Sequence, residues 1–270
     1  MSIDHREPRG PRRAGSAWSA FTRFCVHPAD VVRSVPKVGG TKTPNLEKIA
    51  SLAPDLIFMN REENREEDHD WLAARFPVDL SMPSSPADVP PVLRRWGFLL
   101  DLPGPAEHWA SAIDLELGAA TSRTAARFLV LIWRGPFMAV GTETYVHELF
   151  AVAGGDNVVR TPRYPEIDLA HFAAEEALYL VLPDEPYPFE VRHLDELRPE
   201  VPRSTPILVR GDDLTWHGVR TVRGLRLARA ILSGACSEAR AGGAPMACRR
   251  RDNRIMNERH QGSISDRGTH

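Results

Sequence analysis

The chain has 270 residues, with 42% hydrophobic and 26% charged residues, enough for one large globular domain or two modest lobes. Its net charge of −2 excludes both a global basic field for nucleic acid and the acidic excess that keeps chains unfolded.

In chain order, Met1 to Ala20 is polar and rich in Arg, Pro and Gly. It lacks the apolar stretch of a secretory signal, so residues 1–20 are expected as a disordered leader, and the chain as written is expected in the cytoplasm. Thr43 reads as the cap of a helix with Pro44 at its first position and Leu46, Ile49, Ala50 and Ala53 at helical spacing. Pro54 stops it. Leu56-Ile57-Phe58-Met59 reads as a strand buried on both faces. A polar loop, Asn60-Arg61-Glu62-Glu63-Asn64, leads into a charged helix over 63–75, a strand over 78–81 and a helix over 90–100.

From Pro105 the sequence is Ala-rich and helix-prone. Arg127 to Trp133 reads as a buried strand, and Thr144 as the cap of a helix ending at Gly154-Gly155. A helix over 168–175, a buried strand over 178–182, a strand over 207–210 and a helix over 220–232 complete the pattern. The unit Leu46 to Met59 (helix, break, apolar strand, polar loop) recurs at Leu169 to Leu182. Two copies separated by a helical stretch predict an α/β fold of two Rossmann-like lobes joined by a long backbone helix. Ligand loops in such sheets lie at the strand carboxyl ends, so a cleft between the lobes is the expected site. The expected boundaries are a leader (1–20), an N-terminal lobe (21–104), a connecting helix (105–125), a C-terminal lobe (126–235) and a disordered tail (236–270).

Cys25, Cys236 and Cys248 are an odd, scattered set without Cys-x-x-Cys spacing, which predicts neither a disulfide framework nor zinc. No apolar run approaches the ~20 residues that span a bilayer. There is no Gly-x-Ser-x-Gly, phosphate loop or His-Glu-x-x-His, and His69, His171 and His193 lack metal-ligand spacing. No catalytic residue, metal or cofactor is expected.

Val38-Gly39-Gly40-Thr41-Lys42-Thr43-Pro44-Asn45-Leu46-Glu47 followed by Ala53-Pro54-Asp55-Leu56-Ile57 resembles the first lobe of helical-backbone substrate-binding proteins, the cobalamin and iron–siderophore receptors of ABC importers. The 60–68 loop is similar to a subgroup described as cobalamin-binding. Leu131-Ile132-Trp133-Arg134-Gly135-Pro136-Phe137-Met138, Gly154-Gly155-Asp156-Asn157-Val158, Arg163-Tyr164-Pro165-Glu166, Glu185-Pro186-Tyr187-Pro188-Phe189 and Leu214-Thr215-Trp216-His217-Gly218 follow that subgroup in order. The resemblance runs from about Thr22 to Leu232. It implies a non-enzymatic binding protein that delivers a corrinoid to an ABC permease, monomeric, without nucleic acid, and periplasmic or at the cell surface. The family's first strand, expected before Thr22, is missing along with its export signal, which predicts a thinned first lobe with a bare sheet edge.

A corrinoid is large, flat and covered in amides, and its cleft calls for aromatic faces and hydrogen-bond donors. Trp133, Tyr164, Tyr187, Trp216 and His217 sit in or beside predicted loops at strand ends and are the candidate ligand contacts, with Arg134, His27 and Asn60. Each has a structural alternative: Trp133 as core, Tyr187 as a rigid turn residue, His27 as a solvated histidine. A ferric siderophore complex, often anionic, favours Arg and Tyr, and Arg134 and Arg163 keep it open. The acidic group Glu62, Glu63, Glu66, Glu67 and Asp68 reads either as a solvated helix start or as a docking face. The resemblance implies a permease-docking glutamate in each lobe, by position Glu66 and Glu196. The alternatives are a ferric-siderophore or heme binder, and a cytoplasmic α/β ligand sensor or enzyme on the same fold.

Overall fold

Strand β3 (Leu56–Asn60) is buried over Leu56–Met59, as its continuous apolar run predicts. In the computed structural model, which describes residues 2–4, 18–119 and 126–236, it belongs to the first of two compact units, Met1–Met82 and Pro83–His270. The expected N-terminal lobe, 21–104, therefore runs past the first unit's end at Met82.

The first unit also contains β1 (Ser2–Asp4), β2 (Trp18–Phe21), α1 (Ala29–Val32), α2 (Leu46–Ser51), α3 (Glu66–Ala73) and β4 (Val78–Ser81). Its sheet has the order β2-β1-β3-β4, with β1 antiparallel to both neighbours and β3 parallel to β4. Two strands thus fall within the stretch expected as a disordered leader. The expected bare edge is filled on one side of β3, where β1 satisfies backbone groups that would otherwise lack partners. Residues 5–17 of that leader lie outside the described residues. Ala20, Val38, Ile49, Ile57, Met59 and Leu72 form the unit's core. The cap of α2 is Asn45, not Thr43: Asn45 Oδ1 accepts from Lys48 N at 2.8 Å. Pro44 is held in a bridge to Gly39 and stays outside the helix.

The second unit opens with a 3-10 turn (Pro86–Asp88), α4 (Val89–Leu99) and α5 (Pro103–Gly118). There follow β5 (Arg127–Trp133), β6 (Met138–Ala139), α6 (Tyr145–Val152), β7 (Asp156–Asn157), a 3-10 turn (Leu169–Phe172) and β8 (Leu178–Pro183). The last elements are α7 (Val191–Leu197), β9 (Ser204–Val209), α8 (Gly211–Thr215) and α9 (Thr221–Leu232). The sheet runs β6-β5-β8-β9, with β7 on β5; all pairs are parallel except β5 with β6.

Alternation along β5 explains why the six residues Phe128–Trp133 read as one apolar run. Phe128 and Val130 enter a core with α5, α6 and α9; Leu129 and Leu131 enter a second core with Leu180, Leu182, Phe189, Leu194 and Leu197. Helix α5 is shorter than the expected 105–125 connector. Its Ala110 and Ile113 are fully buried in the first of these two cores. Residues 120–125 lie outside the described residues, as does the expected tail from 237 with Cys248. Among the described residues neither Cys25 nor Cys236 is in a disulfide, and Cys236 is buried at the core's edge. Among the described residues, no helix is long and apolar enough to cross a membrane.

Candidate functional site

Parallel pairing of β5, β8 and β9 sends their carboxyl ends to one edge of the second unit's sheet. Trp133 and Arg134 lie at the end of β5, Tyr187 in the loop after β8, and Trp216 and His217 after α8, which follows β9. Trp133 is 42% exposed and meets the Tyr187 ring edge-on at 5.7 Å. Tyr187 in turn packs on Phe189 at 4.7 Å and on the buried His193 at 5.6 Å. Tyr187 is thus packed against the second core and also meets Trp133.

Arg134 forms an ion pair with Glu196 of α7. The residue expected to touch ligand and the one expected to touch a permease are thus bonded to each other. Both line an open groove of about 330 Å³, together with Gly135, Pro136, Phe137, Leu197 and Glu200.

Trp216 and His217 sit in a second cluster of the same unit. The His217 ring meets Tyr145 edge-on at 6.1 Å, and the Arg220 guanidinium lies 5.5 Å from the Trp216 ring. Arg220 also bridges Asp212 and Asp213, each at 3.0 Å. Glu185 takes a side-chain hydrogen bond from Trp216 and another from Thr215 Oγ1 at 3.3 Å. Burial pushes the Glu185 carboxyl above its ordinary range; the two hydrogen bonds pull it down, while Asp212 and Asp184 push it up. Asp184 Oδ1 accepts from Gly211 N at 2.7 Å, tying the β8 loop to the start of α8. A side chain at residue 211 has no room, because a Cβ there would lie 2.3 Å from Glu185 Cγ. Sequence reasoning quoted Glu185 within a motif without giving it a role; its signal is a carboxylate at the end of a buried strand.

Tyr164 is partly buried against the larger core, with the Arg163 guanidinium 5.4 Å from its ring. Arg163 has φ +66°, and its Nη1 donates to Glu143 O at 3.0 Å. Gly141 N donates to Arg163 O at 2.8 Å, and Arg163 N to Thr142 O at 2.7 Å.

In the first unit, Asn60 serves its own loop. Its Oδ1 accepts from Glu62 N and Glu63 N at 2.9 and 3.2 Å, an arrangement typical of Asn at turns. Buried Asn64 closes the loop: its Oδ1 accepts from Asn60 N at 2.9 Å and its Nδ2 donates to Thr41 O at 3.0 Å. Glu66 opens α3 with its side chain 79% exposed and Arg61 at 3.8 Å. The acidic group is not uniformly solvated, since Asp68 is buried and clamped by two Arg65 hydrogen bonds of 2.9 Å. His27 is exposed in the loop before α1. Among the described residues, no group of three or more His, Cys, Asp or Glu side chains is arranged to hold a metal ion.

A family model described as periplasmic binding protein matches residues 14–183. No curated protein matches the sequence. Among solved structures, the chain is similar to the periplasmic vitamin B12 binding protein BtuF of Vibrio cholerae, at 15% identity and TM-score 0.66, covering 80% of this chain and 88% of that one. It is similar to a periplasmic heme binding protein of Pseudomonas aeruginosa at 18% identity and TM-score 0.68, covering 81% and 86%. A third is the periplasmic heme-binding protein RhuT of Roseiflexus sp. RS-1, at 20% identity and TM-score 0.66, covering 80% and 89%.

Proposed function

We propose a transport role from a plain premise: the chain belongs to the periplasmic binding protein family. On this reading it captures a large, flat metal chelate outside the cytoplasmic membrane and hands it to an ABC permease, without catalysis. The observation that carries the reading is the half-exposed Trp133 ring, backed edge-on by Tyr187 at the carboxyl edge of a parallel sheet. An aromatic face held firm by core packing loses little freedom when a flat ligand covers it. Trp216 and His217, at the same edge, are the further contacts of the reading.

A corrinoid is the first ligand of this proposal, in keeping with the resemblance carried by the 131–138 and 185–189 motifs. A heme or ferric siderophore is the second, favoured by Arg134 beside Trp133, because a guanidinium suits a ligand with carboxylates. Glu66 is the proposed permease contact on the first unit, being exposed and only loosely held by Arg61. Glu196 already has a partner in its own chain.

Titration of the purified protein with cyanocobalamin, heme and a ferric hydroxamate, followed by tryptophan fluorescence, tests the reading. Quenching by one of them at micromolar concentration or below, weakened by Trp133→Ala, is the expected result. Absence of binding by all three overturns it.

A further inference from the structure

The Arg134–Glu196 pair lines the groove just past the end of β5, one residue along the chain from the exposed Trp133. Both side chains are more than a third exposed. An ion pair of that kind holds geometry but little free energy, because water competes for both charges. Arg134 is therefore oriented yet easily released. A guanidinium presents a planar fork of donors that matches any carboxylate, so a second carboxylate arriving in the groove competes with Glu196 on equal terms.

The lining says which second carboxylate can win. Glu196 and Glu200 set two negative charges against the single cation Arg134, so a small free anion gains little there. A carboxylate attached to a flat apolar body gains more, because the body covers the Pro136–Phe137 wall while the acid reaches Arg134.

We infer that Glu196 is a built-in stand-in for an anionic group of the ligand. The groove is a carboxylate subsite, and Glu196 sets selectivity for carboxylate-bearing over neutral flat ligands. This inference rests on the transport reading and narrows it to one ligand class. Glu196 acts as a positioning residue: it holds Arg134 ready and leaves it when the ligand's acid binds.

The test compares heme, which carries two carboxylates, with heme dimethyl ester, which carries none, and with cyanocobalamin. Affinities are measured for the unsubstituted chain, Glu196→Gln, Arg134→Gln and the double variant. Removing the internal competitor should tighten heme binding by roughly 1.5- to 5-fold, the equivalent of one exposed ion pair. Arg134→Gln should weaken heme by roughly tenfold or more and leave the ester unaffected. In the Arg134→Gln background, Glu196→Gln should change nothing, which a purely structural role for Glu196 does not predict. Heme binding that ignores or weakens with Glu196→Gln overturns the inference, as does equal tightening of the ester. Binding of cyanocobalamin without heme also overturns it, while leaving the transport reading intact. Failure of all ligands removes both.

Discussion

The phenol of Tyr145 and the hydroxyl of Thr221 lie 2.7 Å apart, both buried, across 76 residues of chain. The bond pins the start of α6 to the start of α9, behind the loop that carries Trp216 and His217.

Burial pushes the Tyr145 phenol up to about 12 from an ordinary value of 10.0, against the pull of the Thr221 hydrogen bond. The stability this shift contributes is complete below pH 10.0 and is lost as pH rises through about 12. Tyr145→Phe should cost about 1 kcal/mol at neutral pH by stranding Thr221 Oγ1. Adding Thr221→Val should recover most of it. Urea midpoints at pH 7 check the pair, and the difference in alkaline absorbance between the unsubstituted chain and Tyr145→Phe checks the titration.

Glu185 behaves in the same sense at the other end of the pH scale. Its raised carboxyl favours the folded state below 4.5, and that contribution is lost as pH rises through the folded value. Glu185→Gln keeps one acceptor oxygen for Trp216 and Thr215 and carries no charge. It should be slightly more stable than the unsubstituted chain at pH 7, by well under ~1 kcal/mol because the site is partly solvated. The gain should fade as the pH is lowered toward 4. Thermal melts over that range check it.

Asn64 joins three strangers: the end of β3, its own loop and the backbone of Thr41. Asn64→Ala should cost about 1–3 kcal/mol, since Asn60 N and Thr41 O lose their buried partner. Glu66→Arg, four-fifths exposed and two residues away, should stay within ~0.5 kcal/mol. If Glu66 is the permease contact, that same variant should bind ligand normally yet fail in an uptake assay.

Gly141 faces the backbone of Thr161, and a Cβ there would lie 1.8 Å from Thr161 O. Gly141→Ala should force the two segments apart, cost at least ~1–3 kcal/mol, and disturb Tyr164 through the Arg163 backbone bonds. Chemical denaturation reads the first effect. Near-ultraviolet circular dichroism reads the second.

The sequence made the central strands legible because burial on both faces turns period-two alternation into an unbroken apolar run, as at Phe128–Trp133 and Leu178–Leu182. Thr144 was legible as a cap, and its Oγ1 does accept from His147 N at 3.2 Å. Helix α7 was not legible. His193 counts as polar in a pattern, yet here it is buried among Tyr187 and Phe189, with Nδ1 accepting from Glu190 N at 2.8 Å. The two-residue strands β6 and β7 form through pairing with β5, β6 also bridging to Glu166, and carry no local signal. At the site, residue types announced themselves but partners did not. Trp133 and Tyr187 were both readable as aromatic candidates, whereas the bond between Arg134 and Glu196 spans 62 residues and depends on where α7 packs.

Parallel strands cannot be joined by a tight turn, and the register of Arg127 opposite Leu178, and of Leu178 opposite Ser204, closes two long loops before any contact rewards the closure. The Trp133–Tyr187 contact spans the first of those loops, so it arises late in folding, with the sheet rather than ahead of it. During refolding from urea, recovery of ligand binding should therefore keep pace with the slowest growth of sheet signal and never precede it. On the transport reading, newly made chain gains its aromatic face only once β8 has found β5.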